Sequence, residues 1–423
     1  MLIAVIGAGY VGLVTAAGLA SLGHRVRVGE ADPQRLEMLE QGEIPFFEPD
    51  LGRLVAEGTA SGLLTFQGDN REAVDGAEVL FVALPTPSAP DGSADTRIVD
   101  LALDGLAPYL LPGVIVVMKS TMPVGSVDRL QERLREKGAT PTVISNPEFL
   151  REGSAVADFL HPDRIVVGSR DQRAAEVMVD VYRQLQAPVV VTDPITSEMI
   201  KYAANAFLAS RVTFANAIAN LCEGVGADVR DVLLGMGYDR RIGFHFLSPG
   251  PGFGGSCFPK DTRALVAIAE QAGYDFALLK GVIEVNEEQR RRVLEKVRQA
   301  AGGNLREATV GLWGLAFKAG TDDIRESPAV DLAQALMEEG ALVRAYDPKV
   351  SRPIPGLQRA ADPLDAAKEA DVLLIATEWP EFQAVDFRML QEAMRGSAIV
   401  DARNLLDPAA VRRLGFTYTG IGR

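Results

Sequence analysis

The sequence predicts an α/β protein, with two doubly wound parallel-sheet domains joined by a long central helix. Three observations carry this. Unbroken β-branched runs alternate with amphipathic helical stretches in both halves of the chain, the pattern of parallel sheets covered on both faces. The first run ends in a glycine turn that opens a helix. A dense apolar stretch, roughly Ser197 to Gly224, separates the two sets of strands and has helical spacing. The expected divisions are 1–196, 197–300 and 301–423.

Leu2 to Ile6 reads as a buried strand running into Gly7-Ala8-Gly9-Tyr10-Val11-Gly12. The helical pattern that follows, Leu13 to Leu22, stops at Gly23, a good C-terminal cap. A second strand, Arg25 to Val28, ends at Glu30. Strand, glycine turn, helix, strand and acid, with the acid about twenty residues past the glycines, is the order of a Rossmann-like dinucleotide site. Pyrophosphate belongs on the amides at the helix N-terminus, where unpaired N–H groups and the dipole favour an anion. Glu30 accepts from the adenosine ribose hydroxyls, and its charge repels a 2′-phosphate, so NAD is favoured over NADP.

Further strands are expected at Val79–Leu84, Val114–Lys119, Thr142–Ser145, Arg164–Gly168 and Val189–Thr192. Ligands on such sheets gather at the carboxyl ends of the strands. Those ends carry Pro85-Thr86-Pro87, Ser120-Thr121 and Asn146-Pro147-Glu148, three polar turns on one edge that favour a shared cleft.

In the central helix, Thr196 or Ser197 is the expected N-cap, with Glu198 in the first turn. Ile200, Phe207, Leu208, Val212, Phe214, Ile218 and Leu221 suit a spine that joins domains and packs against a partner subunit. Lys201 and Asn205 lie four apart and therefore on one face. Asn is a poor helix former unless its side chain has a partner. Cys222 reads as core.

Gly250 to Thr262, GPGFGGSCFPKDT, holds too much glycine and proline for a regular helix or strand through Gly255. Backbone amides there approach a ligand closely. Cys257 follows, beside Lys260 and Asp261, and a thiol next to a cation is the setting of an available thiolate. Asp261 and Thr262 are placed to cap a helical region reaching about Ala300. Gly302-Gly303-Asn304 marks a boundary, and Thr309–Leu312, Leu342–Tyr346, Val372–Ala376 and Ala398–Asp401 read as a second set of parallel strands. The first turn of that set, Gly311 to Lys318, lacks the full dinucleotide fingerprint; Lys318, Arg325 and Arg403 give it cations suited to a second phosphorylated ligand.

Composition narrows the partners. A formal net charge of −14 over 423 residues argues against nucleic acid or an anionic membrane as the main partner. Two cysteines make no disulfide framework, which suits a reducing cytoplasm. Three scattered histidines (His24, His161, His245) with two cysteines argue against a zinc site, so no metal is expected. No apolar run reaches transmembrane length and no signal-peptide pattern opens the chain. A soluble, cytoplasmic protein is the expectation.

Taken together, these residues resemble the UDP-glucose/GDP-mannose dehydrogenase family along essentially the whole chain. The motifs are Gly7–Gly12, Pro85-Thr86-Pro87, Lys119-Ser120-Thr121, Asn146 to Gly153 (NPEFLREG), Lys201 with Asn205, Gly252 to Asp261 (GFGGSCFPKD) and Gly314 to Lys318 (GLAFK). The resemblance implies an N-terminal NAD domain, a central dimerisation helix and a C-terminal domain that binds the UDP part. It implies Cys257 as nucleophile, with Lys201, Asn205, Asp261, Thr121 and Glu152 serving the reaction. It implies nucleotide-sugar contacts from Glu148, Phe149, Leu150, Arg151 and Glu152, from Phe246, Leu247, Ser248, Pro249 and Gly250, and from Gly254, Lys318 and Arg403. Arg241 matches an arginine that reaches the substrate from the other subunit of a homodimer. NAD contacts fall on Gly7, Gly9, Tyr10, Val11, Gly12, Glu30, Arg35, Thr86, Thr121, Glu152, Lys260 and Arg325.

The implied reaction is a four-electron oxidation of UDP-glucose to UDP-glucuronate with two NAD in succession, through a thiohemiacetal and a thioester on Cys257. Either neutral Lys201 or a water held by Asp261 is the first base. GDP-mannose and UDP-N-acetylhexosamines are alternative substrates; relatives using the latter tend to have His before the cysteine, where Ser256 stands here. A catalytically silent NAD-binding regulatory protein is the alternative of a different class. Two positions depart from the family pattern: Glu30 replaces the usual Asp, and Ser248 stands where some relatives have Lys or Asn.

Overall fold

The computed structural model describes residues 1–423. The chain forms two compact units, 1–204 with 267–273, and 205–266 with 274–423. The first holds an eight-stranded sheet: β1 (Leu2–Ile6), β2 (Arg25–Gly29), β3 (Leu64–Gln67), β4 (Val79–Val82), β5 (Ile115–Met118), β6 (Thr142–Ser145), β7 (Ile165–Gly168) and β8 (Val189–Thr192). Their order is β3-β2-β1-β4-β5-β6-β7-β8. The second holds β9 (Thr309–Trp313), β10 (Leu342–Tyr346), β11 (Gln358–Arg359), β12 (Val372–Ile375), β13 (Ala398–Asp401) and β14 (Thr417–Thr419). These run in the order β11-β10-β9-β12-β13-β14.

The strand sequences explain the layering. Side chains alternate across a sheet, and β1 sends Ile3 and Val5 into one core and Ala4 and Ile6 into another. In β4, Val79 and Phe81 join the first core, and Leu80 and Val82 the second. Both faces are covered, so β4, β5 and β7 are buried at every position and read as continuous apolar runs. Burying one such side chain contributes about 1.5–3 kcal/mol. All pairs are parallel except one: β6 meets β7 antiparallel through the single pair Ser145↔Gly168, after which β7 and β8 run parallel to each other.

Several expectations are corrected. The central helix spans Pro194–Val225 and contributes residues to both units. It starts before Thr196 because Asp193 is its cap: the Asp193 carboxylate accepts from the Thr196 N–H (3.0 Å) and hydroxyl (2.6 Å), and Pro194 suits the first helical position. Glu198 is consequently a turn further in. The region after the cysteine is two helices, Phe258–Gln271 and Ala277–Ala300. The first begins at Phe258, ahead of the expected caps, because Pro259 is tolerated in a first turn. No helix is long and apolar enough to cross a membrane.

Candidate active site

In the first unit, Gly7 adopts φ +97°, a conformation other residues rarely enter. A Cβ on Gly12 would lie 1.9 Å from the Gly7 carbonyl oxygen, so the turn closes only with glycine there. Gly9 faces open space and caps the helix Tyr10–Ser21 without a side-chain hydrogen bond; no acid occupies that helix's first turn. Its N-terminal N–H groups are thus left for an anion. Glu30 is buried just beyond β2, where it accepts from the N–H groups of Ala8 (3.0 Å) and Asp32 (2.8 Å) and from Arg35 Nη1 (3.2 Å). An open turn with an acid beside it fits a dinucleotide. Thr86 Oγ1 donates to the Thr121 carbonyl (3.0 Å), so the turns after β4 and β5 are tied together.

Lys201 and Glu148 form a buried ion pair. Lys201 Nζ lies 2.8 Å from Glu148 Oε1 and donates to the Glu148 carbonyl at 2.7 Å. Burial alone would raise the Glu148 carboxyl, but Lys201, the Leu150 N–H and Lys119 hold it below the usual carboxylate range. Two cations lie over the Phe149 ring, the Arg164 guanidinium 3.5 Å and Lys201 Nζ 5.4 Å from its centre. Behind them Lys119 donates to Asn146 Oδ1 (3.0 Å), which also accepts from the Tyr182 hydroxyl (2.7 Å). Arg151 pairs with Asp158 (2.5 Å), and Glu152 is half-buried.

In the second unit, the glycine-rich loop has no strand or helix to satisfy its backbone. Side-chain amides do so instead. Asn216 Oδ1 accepts from the Gly250 N–H (2.8 Å), Gln289 donates to the Gly250 carbonyl (2.9 Å), and Asn286 bonds both backbone groups of Phe253 (2.7 and 3.1 Å). These residues escaped the sequence reading; the signal was amide side chains inside two otherwise apolar helical faces, where Asn has low propensity. A Cβ on Gly254 would sit 2.2 Å from the Glu326 carbonyl oxygen, and one on Gly255 would strike the Phe317 ring.

Cys257 is half-buried and stands at the N-terminal cap of the helix Phe258–Gln271, its carbonyl accepting from the Asp261 N–H at 2.8 Å. Ser256 Oγ lies 3.6 Å from its sulfur. A helix N-terminus favours the thiolate. One turn on, fully buried Asp261 accepts from Asn205 Nδ2 (2.6 Å) and pairs with Lys260 Nζ (2.5 Å). Asn205 therefore has the partner its helical position called for.

Of the remaining residues, Phe246 holds φ +61°, Leu247 and Gly250 are buried, Ser248 is exposed and Pro249 half-buried. Lys318 Nζ lies 5.7 Å from the Phe317 ring. Arg325 pairs with Asp323 (2.7 Å), and the Arg325 carbonyl accepts from the Gly255 N–H (3.0 Å). Arg403 donates to the carbonyls of Ala376 (2.9 Å) and Phe317 (2.7 Å), approaches Glu378 (3.0 Å) and lies against Gly250. Arg241 is exposed and paired with Asp239 (2.6 Å).

What the two units hold is the equipment of an NAD-dependent oxidoreductase that also carries a thiol. Three family models match in sequence: the NAD-binding domain over residues 1–186, the central domain over 195–288 and the UDP-binding domain over 311–408 of the UDP-glucose/GDP-mannose dehydrogenase family. The chain is 48% identical to a UDP-glucose 6-dehydrogenase of Rhizobium meliloti, with 100% of both chains covered. Among solved structures it matches a UDP-glucose dehydrogenase from Pyrobaculum islandicum at 39% identity and a TM-score of 0.93, over 99% of this chain and 97% of that one. It also matches a UDP-D-ManNAc dehydrogenase from Pyrococcus horikoshii at 28% identity and a TM-score of 0.88, over 100% and 99%. The chain belongs to the UDP-glucose/GDP-mannose dehydrogenase family.

Proposed function

We propose that the chain oxidises UDP-glucose to UDP-glucuronate, taking four electrons from one carbon in two successive oxidations. The observation that carries this reading is the position of Cys257, at a helix N-terminus within a glycine frame and one turn before Asp261. Oxidation of an alcohol only as far as the aldehyde has no need of such a thiol. Full-length identity of 48% to a UDP-glucose 6-dehydrogenase supports the choice of sugar nucleotide.

NAD held by the Gly7–Gly12 turn and Glu30 supplies the hydride acceptor for each oxidation. In the first, the C6 hydroxyl yields its proton to neutral Lys201 or to a water held by Asp261, and the carbon becomes an aldehyde. The Cys257 thiolate bonds to that carbon, and the oxygen takes a proton to give a thiohemiacetal. Loss of the second hydride and of the hydroxyl proton leaves a thioester. Water, positioned by Glu152, adds to the thioester carbonyl; the carbon–sulfur bond breaks, Cys257 leaves as thiolate and the carboxylate is released. Protonated Lys201 and Asn205 stabilise the oxyanions, a task worth about 3 kcal/mol per donor. Thr121 acts beside the reacting carbon.

The nucleotide sugar is held by Glu148–Glu152, Phe246–Gly250, Gly254, Lys318 and Arg403. Lys260 and Arg325 complete the NAD contacts. The working division is 1–196 for NAD, 197–300 for the thiol and dimerisation, and 301–423 for UDP. A homodimer is part of the reading. On the central helix, Phe207, Phe214, Leu221 and Val225 are 63%, 49%, 60% and 69% exposed at spacings that share one face, and a second copy would cover them and bring its Arg241 to the sugar. Two cysteines that form no disulfide support a cytoplasmic setting.

The test is NADH formed per UDP-glucose consumed, expected to be two. Cys257→Ser is expected to keep binding both ligands and to lose acid release. Full turnover to the acid in that variant would sink the thioester scheme.

A further inference from the structure

We infer that Glu48, which lies outside every motif, is a positioning residue that couples the dinucleotide turn to the segment 148–153. The inference rests on the proposed reading of that segment as a nucleotide-sugar contact. Glu48 is 6% exposed, and the partners that surround its carboxylate are N–H and O–H donors from two distant parts of the first unit. From the turn comes the Tyr10 hydroxyl, which donates to Oε2. From the segment come the N–H of Gly153 to Oε2 (2.6 Å) and those of Ala155 and Val156 to Oε1 (2.7 and 3.4 Å). The Gly153 N–H also reaches the Tyr10 oxygen at 2.9 Å, so tyrosine, carboxylate and glycine close a three-membered network.

Each side of this network belongs to a ligand site. Tyr10 is the first residue of the helix whose N–H groups are left for pyrophosphate, and its ring is braced by Phe46 at 5.0 Å. Gly153 ends the segment that begins with the Glu148–Lys201 pair and contains Glu152. Glu152 also acts electrostatically on the Tyr10 phenol. Burial and the Glu48 contact push that phenol far above its ordinary range, so the hydroxyl stays protonated and remains a donor. A ligand that fixes Tyr10 therefore fixes the anchor at the end of the segment, and by reciprocity the segment's ligand favours the ordered turn. A purely structural Glu48 would cap the short helix after Ser154 but would carry nothing from the turn.

The experiment is hydrogen exchange of peptides spanning residues 146–156, with and without NADH, in the wild type, Tyr10→Phe and Glu48→Gln. NADH is expected to slow exchange in the wild type by roughly fivefold or more. Tyr10→Phe, compared at NADH concentrations that saturate it by its own measured affinity, should match the wild type without ligand yet lose the slowing. Glu48→Gln should exchange fast in both conditions; if it does not fold, Tyr10→Phe decides alone. The inference is overturned if the wild type shows no slowing, or if Tyr10→Phe slows as the wild type does. Calorimetry then separates the two readings. Tightening of UDP-glucose by NADH in the wild type, lost in Tyr10→Phe, supports coupling between the ligands, and equal affinities with and without NADH overturn it. A wild type that responds to NADH in exchange but does not bind UDP-glucose refutes the proposed substrate and leaves the link between turn and segment standing.

Discussion

Lys119 is an ammonium whose direct hydrogen-bond partners are neutral, Asn146 at 3.0 Å and the Tyr182 hydroxyl at 3.5 Å. Burial pushes it down to about 8; Glu148 opposes that and Lys201 adds to it. Below pH 8 both folded and unfolded chains hold the proton, and the cost of burying the charge is felt in full. Between about 8 and the ordinary lysine value the unfolded chain binds more protons, so stability must rise with pH. The gain attributable to this residue is on the order of 3 kcal/mol, and Lys119→Met should lack it. Urea unfolding at a series of pH values checks this; a rise of the same size in the variant would reject the assignment. Glu148 behaves oppositely, its contribution present above the ordinary carboxylate range and lost on acidification below it.

At the level of elements, Glu198 shows how one helix holds another. From the helix Pro194–Val225 its carboxylate accepts the N–H groups of Gly125 (2.5 Å) and Val127 (3.0 Å), at the start of the helix Ser126–Glu136. Burial raises Glu198 to about 7, although those N–H groups favour the ion. The folded chain then binds more protons between the ordinary glutamate value and about 7, so this residue's contribution is full below that window and falls as pH rises through it. Glu198→Gln should flatten that slope in thermal unfolding, and an unchanged slope would rule the residue out as its source. Strands buried on both faces were legible because continuous apolar runs have no other use at that length: β1, β6 and β13 fall where the sequence puts them. So do β8 and β10, which are only partly buried but carry β-branched runs. β3, β11 and β14 were missed because they lie toward sheet edges and carry polar residues such as Thr65, Gln358 and Thr417. The cap of the central helix was misread because Asp193, Thr196 and Ser197 are all good caps, and only folding reveals which carbonyl begins the ladder. Motif residues were legible because local spacing fixes glycine turns. Glu48 was not, since its partners lie 38 residues back (Tyr10) and 105 to 108 residues on, and nothing local marks them.

For the whole molecule, a chain of net charge −14 must meet a diphosphate substrate through local donors. Two cations of the second unit are already committed within the fold: Arg403 braces the Ala376 and Phe317 carbonyls, and Arg325 pairs with Asp323. Arg241 is exposed and its hydrogen bonds and ion pair go to Asp239, two residues away, which is what the proposed homodimer asks of a residue meant for the other copy. Phe214→Asp with Leu221→Asp should shift sedimentation to the monomer and, if Arg241 reaches across, raise the KM for UDP-glucose about tenfold or more. A double variant that stays dimeric would move the interface elsewhere; a monomer with unchanged KM would remove Arg241 from the substrate site.

The helix-capping place of Cys257 has a second consequence, in oxidative chemistry. A half-buried cysteine at a helix N-terminus is the kind that peroxide attacks first, forming a sulfenic acid. Cys222, the other cysteine, is packed among the aliphatic side chains of its unit, so the chain offers no accessible second thiol to trap the oxidised sulfur as a reducible bridge. Repair at that position falls to small thiols from outside, and further oxidation there is permanent.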